Sequence, residues 1–217
     1  HIIVSYDEEV GCTGVRPLIA RLGHDLPRPH AIIVGEPTMM GVIEAHKRID
    51  AYRTTVTGRE AHSSLPQLGV NVISIAAELI EEIDRIQLML AQAPTNDRFD
   101  PPSSTVQVGT IEGGTSPNIV PKTCRFQWQV RGLPEADPDF APNRLKAHAE
   151  EMLLPRMRRE APEASIETLH QGACRPSSPS QARRPSPWRW HSPGRTARAR
   201  CPTGRKPGCS RRLAPRR

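Results

Sequence analysis

The chain has 217 residues, room for one full domain or two small ones, and its 30 Lys and Arg against 23 Asp and Glu give a formal charge of +7. That charge is segregated: residues 171–217 hold 13 basic and no acidic side chains, whereas residues 1–170 hold 17 basic and 23 acidic, so a mildly acidic body precedes a strongly basic tail. No apolar run reaches the roughly 18 residues of a bilayer span, the first residues do not read as a secretory signal, and the five cysteines are odd in number, widely spaced and without a Cys-x-x-Cys pair, which together predict no membrane segment, no disulfide scaffold and a reducing cytoplasm.

In chain order, residues 2–6 and 31–34 are short apolar runs rich in β-branched residues. Between them Val15, Leu18, Ile19 and Leu22 recur at helical spacing. Strand, helix, strand over about 35 residues is a βαβ unit and predicts a parallel sheet. After Pro37 the pattern changes. Residues 49–57 alternate as a strand. Residues 70–90 read as a long amphipathic helix whose exposed face carries Glu78, Glu81, Glu82, Asp84 and Arg85. Residues 104–112 and 120–131 read as strands around a Gly113-Gly114 and Pro117-Asn118 turn. Residues 141–159 read as a helix interrupted or ended near Pro155, and residues 164–169 as a last strand. The order β-α-β-β-α-β predicts a ferredoxin-like α+β domain. The expected organisation is a catalytic-domain fragment over 1–46, this α+β domain over 47–169, and a tail over 170–217.

The tail has 12 Arg, 8 Pro and 6 Ser among residues 171–217, and no Ile, Val, Phe or Tyr. Such a composition cannot bury enough apolar surface to offset chain entropy and predicts disorder. Three origins stay open for it: translation of a GC-rich gene in a shifted frame, a nucleic-acid-binding segment in which Trp188 and Trp190 stack on bases, and a solvated extension without a partner. Its charge would bind polyanions without sequence specificity under any of them.

Several side chains could carry chemistry. Asp7-Glu8-Glu9 follows the first predicted strand, and adjacent residues of an extended segment point in opposite directions. One carboxylate could therefore ligate a cation while its neighbour serves as general base to a bound water. Taken alone, an acidic triplet is more often a solvated loop. Gly35-Glu36-Pro37-Thr38 follows the second predicted strand, at the end where parallel sheets gather ligands; its bland alternative is a turn or helix-capping acid. His62 sits in a polar loop, where a lone His is usually a surface residue. Lys47, Asn118 and Arg131 are ambiguous singly, and Arg131 at a strand end could grip a carboxylate or simply form a surface ion pair.

Taken together, these segments carry a resemblance. Ser5-Tyr6-Asp7-Glu8-Glu9-Val10-Gly11-Cys12 resembles the second metal motif of the acetylornithine deacetylases, cocatalytic zinc hydrolases related to the succinyl-diaminopimelate desuccinylases. Gly35-Glu36-Pro37-Thr38 resembles the next metal motif. Ala45-His46-Lys47-Arg48 resembles the Ala-His-Lys-Gly start of the lid domain, with Arg48 in place of Gly. Gly58 to Ser64 resembles the Gly-x-x-x-His-Ser-Ser loop, and Gly113 to Pro121 the Gly-Gly-x-x-x-Asn-x-Ile-Pro turn. Val130-Arg131-Gly132-Leu133-Pro134 resembles the strand end that follows, with Gln129 in place of an acid. Six motifs in the family's order are far more specific than any one, and they extend to about residue 170.

The resemblance implies a partial parallel-sheet α/β catalytic domain followed by a ferredoxin-like dimerisation, or lid, domain. It implies that Glu8 is the general base, that Glu9 and Glu36 each ligate one of two Zn2+ ions (Co2+ could substitute), and that His62 reaches the partner subunit's active site to hold an oxyanion. Lys47, Asn118 and Arg131 would bind substrate, and the lid would form a homodimer. The reaction implied is hydrolysis of an N-acyl amino acid, first N-acetylornithine to ornithine and acetate in arginine biosynthesis, or a related deacylation or desuccinylation. The family also has a His-x-Asp motif and a further His that are not found here. With only Glu9 and Glu36 as matched metal ligands, the chain as written is expected to bind zinc poorly and to turn over little. A non-catalytic dimerisation module is the alternative of a different class.

Overall fold

The computed structural model describes residues 2–8, 11–30, 32–38, 41, 43 and 45–177. They fall into two units, one ending before Gly41 and one from Gly41 onwards. The Arg/Pro/Ser-rich residues from 178 on lie outside the described residues, and so does the disorder expected of them.

In the first unit a tight turn follows the extended residues 2–6. Cys12 N–H donates to the Asp7 carbonyl at 2.8 Å, and Asp7 and Cys12 adopt positive φ of 59° and 57°, a conformation that short polar side chains tolerate better than β-branched ones. A 3-10 turn leads into helix α1 (Arg16–Arg21). The expected βαβ unit needs correction: α1 spans six residues and buries none of them, and residues 2–6 and 32–34 are not strands. Ile2 is 94% exposed and Ile33 96%. A buried parallel strand needs ladder partners at its edges and cover on both faces, and among the described residues neither run has them.

The second unit is the β-α-β-β-α-β domain. Strand β1 (Arg48–Thr57) is followed by a two-residue strand β2 (Ala61–His62), helix α2 (Val72–Gln92), strand β3 (Thr105–Gly113), a two-residue strand β4 (Ile119–Val120) and strand β5 (Thr123–Gly132). Helix α3 (Phe140–His148) runs through a π segment (Ala149–Leu153) into α4 (Leu154–Glu160), and β6 (Ser165–Cys174) closes the domain. The main sheet is antiparallel in the order β3-β5-β1-β6, which is the ferredoxin-like arrangement. The class is mixed α and β, as expected. The last strand runs five residues beyond Leu169, into the segment expected to be tail.

One face of the sheet is buried. Tyr52, Thr54 and Val56 alternate inward on β1, and Cys124, Phe126, Trp128 and Val130 on β5. Over them lies α2, whose Val72, Ile75, Ala76, Leu79, Ile83, Ile86 and Leu90 form the expected stripe. Each Val, Ile or Leu side chain among them contributes about 1.5–3 kcal/mol when fully buried. Asn71 caps the helix, its Oδ1 accepting from the N–H groups of Ile73 and Ser74 at 3.1 and 3.4 Å. Glu82 departs from expectation: it is 2% exposed, and accepts from Arg85 Nη1 at 3.2 Å and Arg144 Nε at 3.0 Å, clamping α2 to α3.

The second helical stretch buries Ala141, Leu145, Ala149, Leu153 and Met157, every fourth residue. On a 3.6-residue helix such a stripe drifts by about 40° per step. The wider π segment takes back part of that drift and absorbs Pro155, which has no N–H for the ladder. Helix and sheet thus stay in contact along the whole stretch.

Candidate functional site

Two pairs of side chains singled out in the sequence occupy opposite ends of the sheet. His62 and Asn118 form one pair. The small β2–β4 ladder matches Ala61 with Val120 and His62 with Ile119, and Ser63 N–H donates to the Asn118 carbonyl at 2.9 Å. Gly69 lets the loop fold back here, since a Cβ at that position would lie 2.8 Å from the Arg59 carbonyl oxygen and 2.9 Å from Ala61 Cβ. The His62 ring is exposed and its Nδ1 is held by Ser64: the Ser64 N–H lies at 3.2 Å and the hydroxyl at 2.8 Å. A backbone N–H can only donate, so Nδ1 accepts and the neutral imidazole carries its hydrogen on Nε2. Ser116 Oγ bonds Asn118 Oδ1 and fixes the amide.

Lys47 and Arg131 form the other pair. Lys47 precedes β1, and Arg131 stands near the end of β5, opposite Ile49. Ten-residue β1 separates this end from the His62 end by roughly 30 Å at about 3.3 Å per residue. Lys47 is 2% exposed and its Nζ donates to the Ser103 carbonyl at 2.6 Å. Burial pulls its pKa down, with the Asp100 carboxylate pulling the other way. Its ammonium ties the strand to the loop before β3. Arg131 Nη2 donates to Gln129 Oε1 at 3.2 Å, a neutral partner where the resembled motif has an acid.

The acidic residues lie in the first unit. Glu8 and Glu36 are both exposed, and Glu9, expected as a metal ligand, lies outside the described residues. A catalytic zinc site takes three protein ligands. Among the described residues no three His, Cys, Asp or Glu side chains come together to hold a metal. The described donors therefore do not make up a zinc site. Also among the described residues, no helix is long and apolar enough to cross a membrane.

Sequence reasoning missed one constellation. Asp50, 6% exposed, accepts from Arg48 Nε, and its Oδ1 lies 3.3 Å from His170 Nε2. Arg48 rests over Gly132, where a Cβ would meet Nη2 at 2.8 Å. The available signal was an acid at an inward position of an alternating strand.

Residues 45–157 match the family model of the peptidase dimerisation domain. Among curated proteins, the acetylornithine deacetylase of Myxococcus xanthus is 33% identical over 153 residues, which cover 70% of this chain and 39% of that one. The acetylornithine deacetylase of Vibrio vulnificus is 34% identical over 152 residues, with the same coverage of 70% and 39%. The chain thus spans about two fifths of the length of these relatives. Among solved structures, the aminopeptidase PepT of Bacillus cereus is 21% identical with a TM-score of 0.49, over 79% of this chain and 42% of that one.

Proposed function

The chain belongs to the M20 peptidase dimerisation domain family, and from that premise we propose that it supplies the dimer-forming lid of an amidohydrolase that releases the free amine from an N-acyl amino acid, N-acetylornithine first among the substrates. The observation that carries the reading is the similarity to two acetylornithine deacetylases across 70% of the chain. The geometry at the β2–β4 end supports it. A bare His62 Nδ1, held by Ser64, turns an Nε2–H donor outward beside Asn118. Donors fixed in advance are what a developing oxyanion requires, and removing one typically costs about 10²–10³ in rate.

In this reading His62 and Asn118 serve one active site while Arg131 serves another. The roughly 30 Å between them exceeds the reach of one small substrate. A second copy of the chain resolves this: each lid lends its His62 end to its partner. By motif alone Glu8 would stand as the general base, and Glu9 and Glu36 as one metal ligand each. Two ligands fall short of the three that catalytic zinc takes, so this chain by itself turns over little. Localisation to the cytoplasm and a role in arginine biosynthesis belong to the same proposal.

The test is a paired measurement on the 217-residue chain: sedimentation equilibrium, and ornithine release from N-acetylornithine with zinc added. A dimer with little turnover is expected, and His62→Ala should leave the dimer intact. A strict monomer contradicts the lid assignment. Substantial zinc-dependent turnover contradicts the ligand count and makes the chain a deacetylase in its own right.

A further inference from the structure

A cleft of about 300 Å3 opens between α3 and the edge strand β6. The amide chemistry proposed above does not use it. Three features meet there. His170 lines the cleft and its Nε2 faces the buried Asp50; a carboxylate only accepts, so neutral His170 keeps its hydrogen on Nε2 and turns Nδ1 outward. The register of β6 against β1 gains one extra residue, Gln171, immediately after His170, and such bulges re-aim the side chains beside them. The facing wall includes Glu150, in the π segment, and π turns recur at functional sites. Pro155 gives that turn a structural cause; the approach of His170 to an Asp50 already paired with Arg48 has no comparable one.

The walls indicate what fits. The Tyr52 ring stacks on Trp128 with centroids 4.2 Å apart and meets the His170 ring at 5.0 Å. Its phenol is pushed up to about 12 by burial and by the Asp50 carboxylate, so it stays a hydrogen-bond donor at neutral pH. Asn143 and Thr168 add neutral polar groups. On the rim Lys146 Nζ and Glu150 Oε1 stand 3.8 Å apart, with side chains 69% and 57% exposed. An exposed pair of this kind is worth little, so a ligand offering a carboxylate to Lys146 and an ammonium to Glu150 replaces a weak contact with two. Tyr52 and His170 give the inner wall an aromatic lining that an extended side chain can lie against. The volume lies at the lower bound of ligand sites, which suits an amino acid and excludes a nucleotide or a folded peptide.

We propose that this cleft binds a free amino acid as its zwitterion, between Lys146 and Glu150 at the rim and Tyr52 and His170 within. The site is independent of the hydrolase reading and stands or falls separately from it.

L-lysine is the probe, since its long side chain can lie along the aromatic wall; acetate and n-butylamine are the half-ligands. Titration into the full chain is followed by calorimetry and by the ring resonances of Tyr52 and His170. L-lysine should saturate, and each half-ligand should bind at least about tenfold more weakly. Lys146→Gln and Glu150→Gln should each weaken L-lysine by about tenfold, and Asn143→Trp should fill the cleft and abolish binding at an unchanged melting temperature. If Asn143→Trp does not fold, the two rim variants decide alone. Absence of saturation by about 10 mM L-lysine, undiminished binding in the variants, or equal binding of acetate alone would overturn the proposal.

Discussion

Wedged between Trp128 and the Asp50–His170 pair, the Tyr52 phenol resists ionisation until about 12, first because it is buried and then because the Asp50 carboxylate repels a phenolate. The folded value lies above the ordinary 10.0, so the unfolded chain loses this proton first. The associated stabilisation is complete below pH 10 and is lost as the pH climbs from 10 towards 12. Phenolate absorbance of the native protein, taken as the difference between the parent and Tyr52→Phe, should therefore stay flat through pH 10 and rise near 12. A rise centred at 10 would mean that the ring is not enclosed as described. Only two tyrosines occur in the chain, so the difference isolates this ring. At this scale the sequence was least informative. His62 and Asn118 were visible as motif members, but a linear pattern does not show that a two-residue ladder joins them. Lys47 was ambiguous by itself and a substrate ligand only by resemblance, and its burial against the Ser103 carbonyl depends on a loop 56 residues away.

Helix α2 shows which elements a sequence can announce. Its stripe of apolar residues at helical spacing marks the buried face, and Asn71 marks the start. Asn71→Ala should lower stability by about 1 kcal/mol, as loss of one side-chain cap usually does, and chemical denaturation with an unchanged m-value would register it. A change below a few tenths would show that the two N–H groups find water equally well. The long strands were legible for the same reason, since alternation needs no partner to be recognised. Glu82 was misread because it sits among surface acids in sequence, while its inward placement is made possible by Arg144 from another helix. Residues 2–6 and 32–34 were misread in the opposite sense: β-branched runs favour extended backbone, but a strand exists only when something lies beside it. The strands β2 and β4, two residues each, fall below the length at which any period can show.

Across the whole molecule, the domain from Arg48 to Cys174 is held by one buried sheet face under a single layer made of α2 and the α3–α4 stretch, and both edge strands are bulged, β3 at Gly109 and β6 at Gln171. Bulged edges pair poorly with stray strands. The chain also carries a built-in optical probe of that interior. Of its three tryptophans, Trp128 is 1% exposed, donates from Nε1 to Thr54 Oγ1 at 3.0 Å and lies against Tyr52, while the other two, Trp188 and Trp190, fall among the basic residues near the C-terminus. With Trp188→Phe and Trp190→Phe in place, fluorescence comes from a single indole in the middle of the sheet. Its emission should be blue-shifted in the native protein and move to the red in one transition coincident with loss of the circular dichroism signal. A red-shifted native spectrum would place that indole in water and contradict the packing described. Because the same ring touches Tyr52, its emission also offers a light-based readout for anything that enters the cleft on the other side.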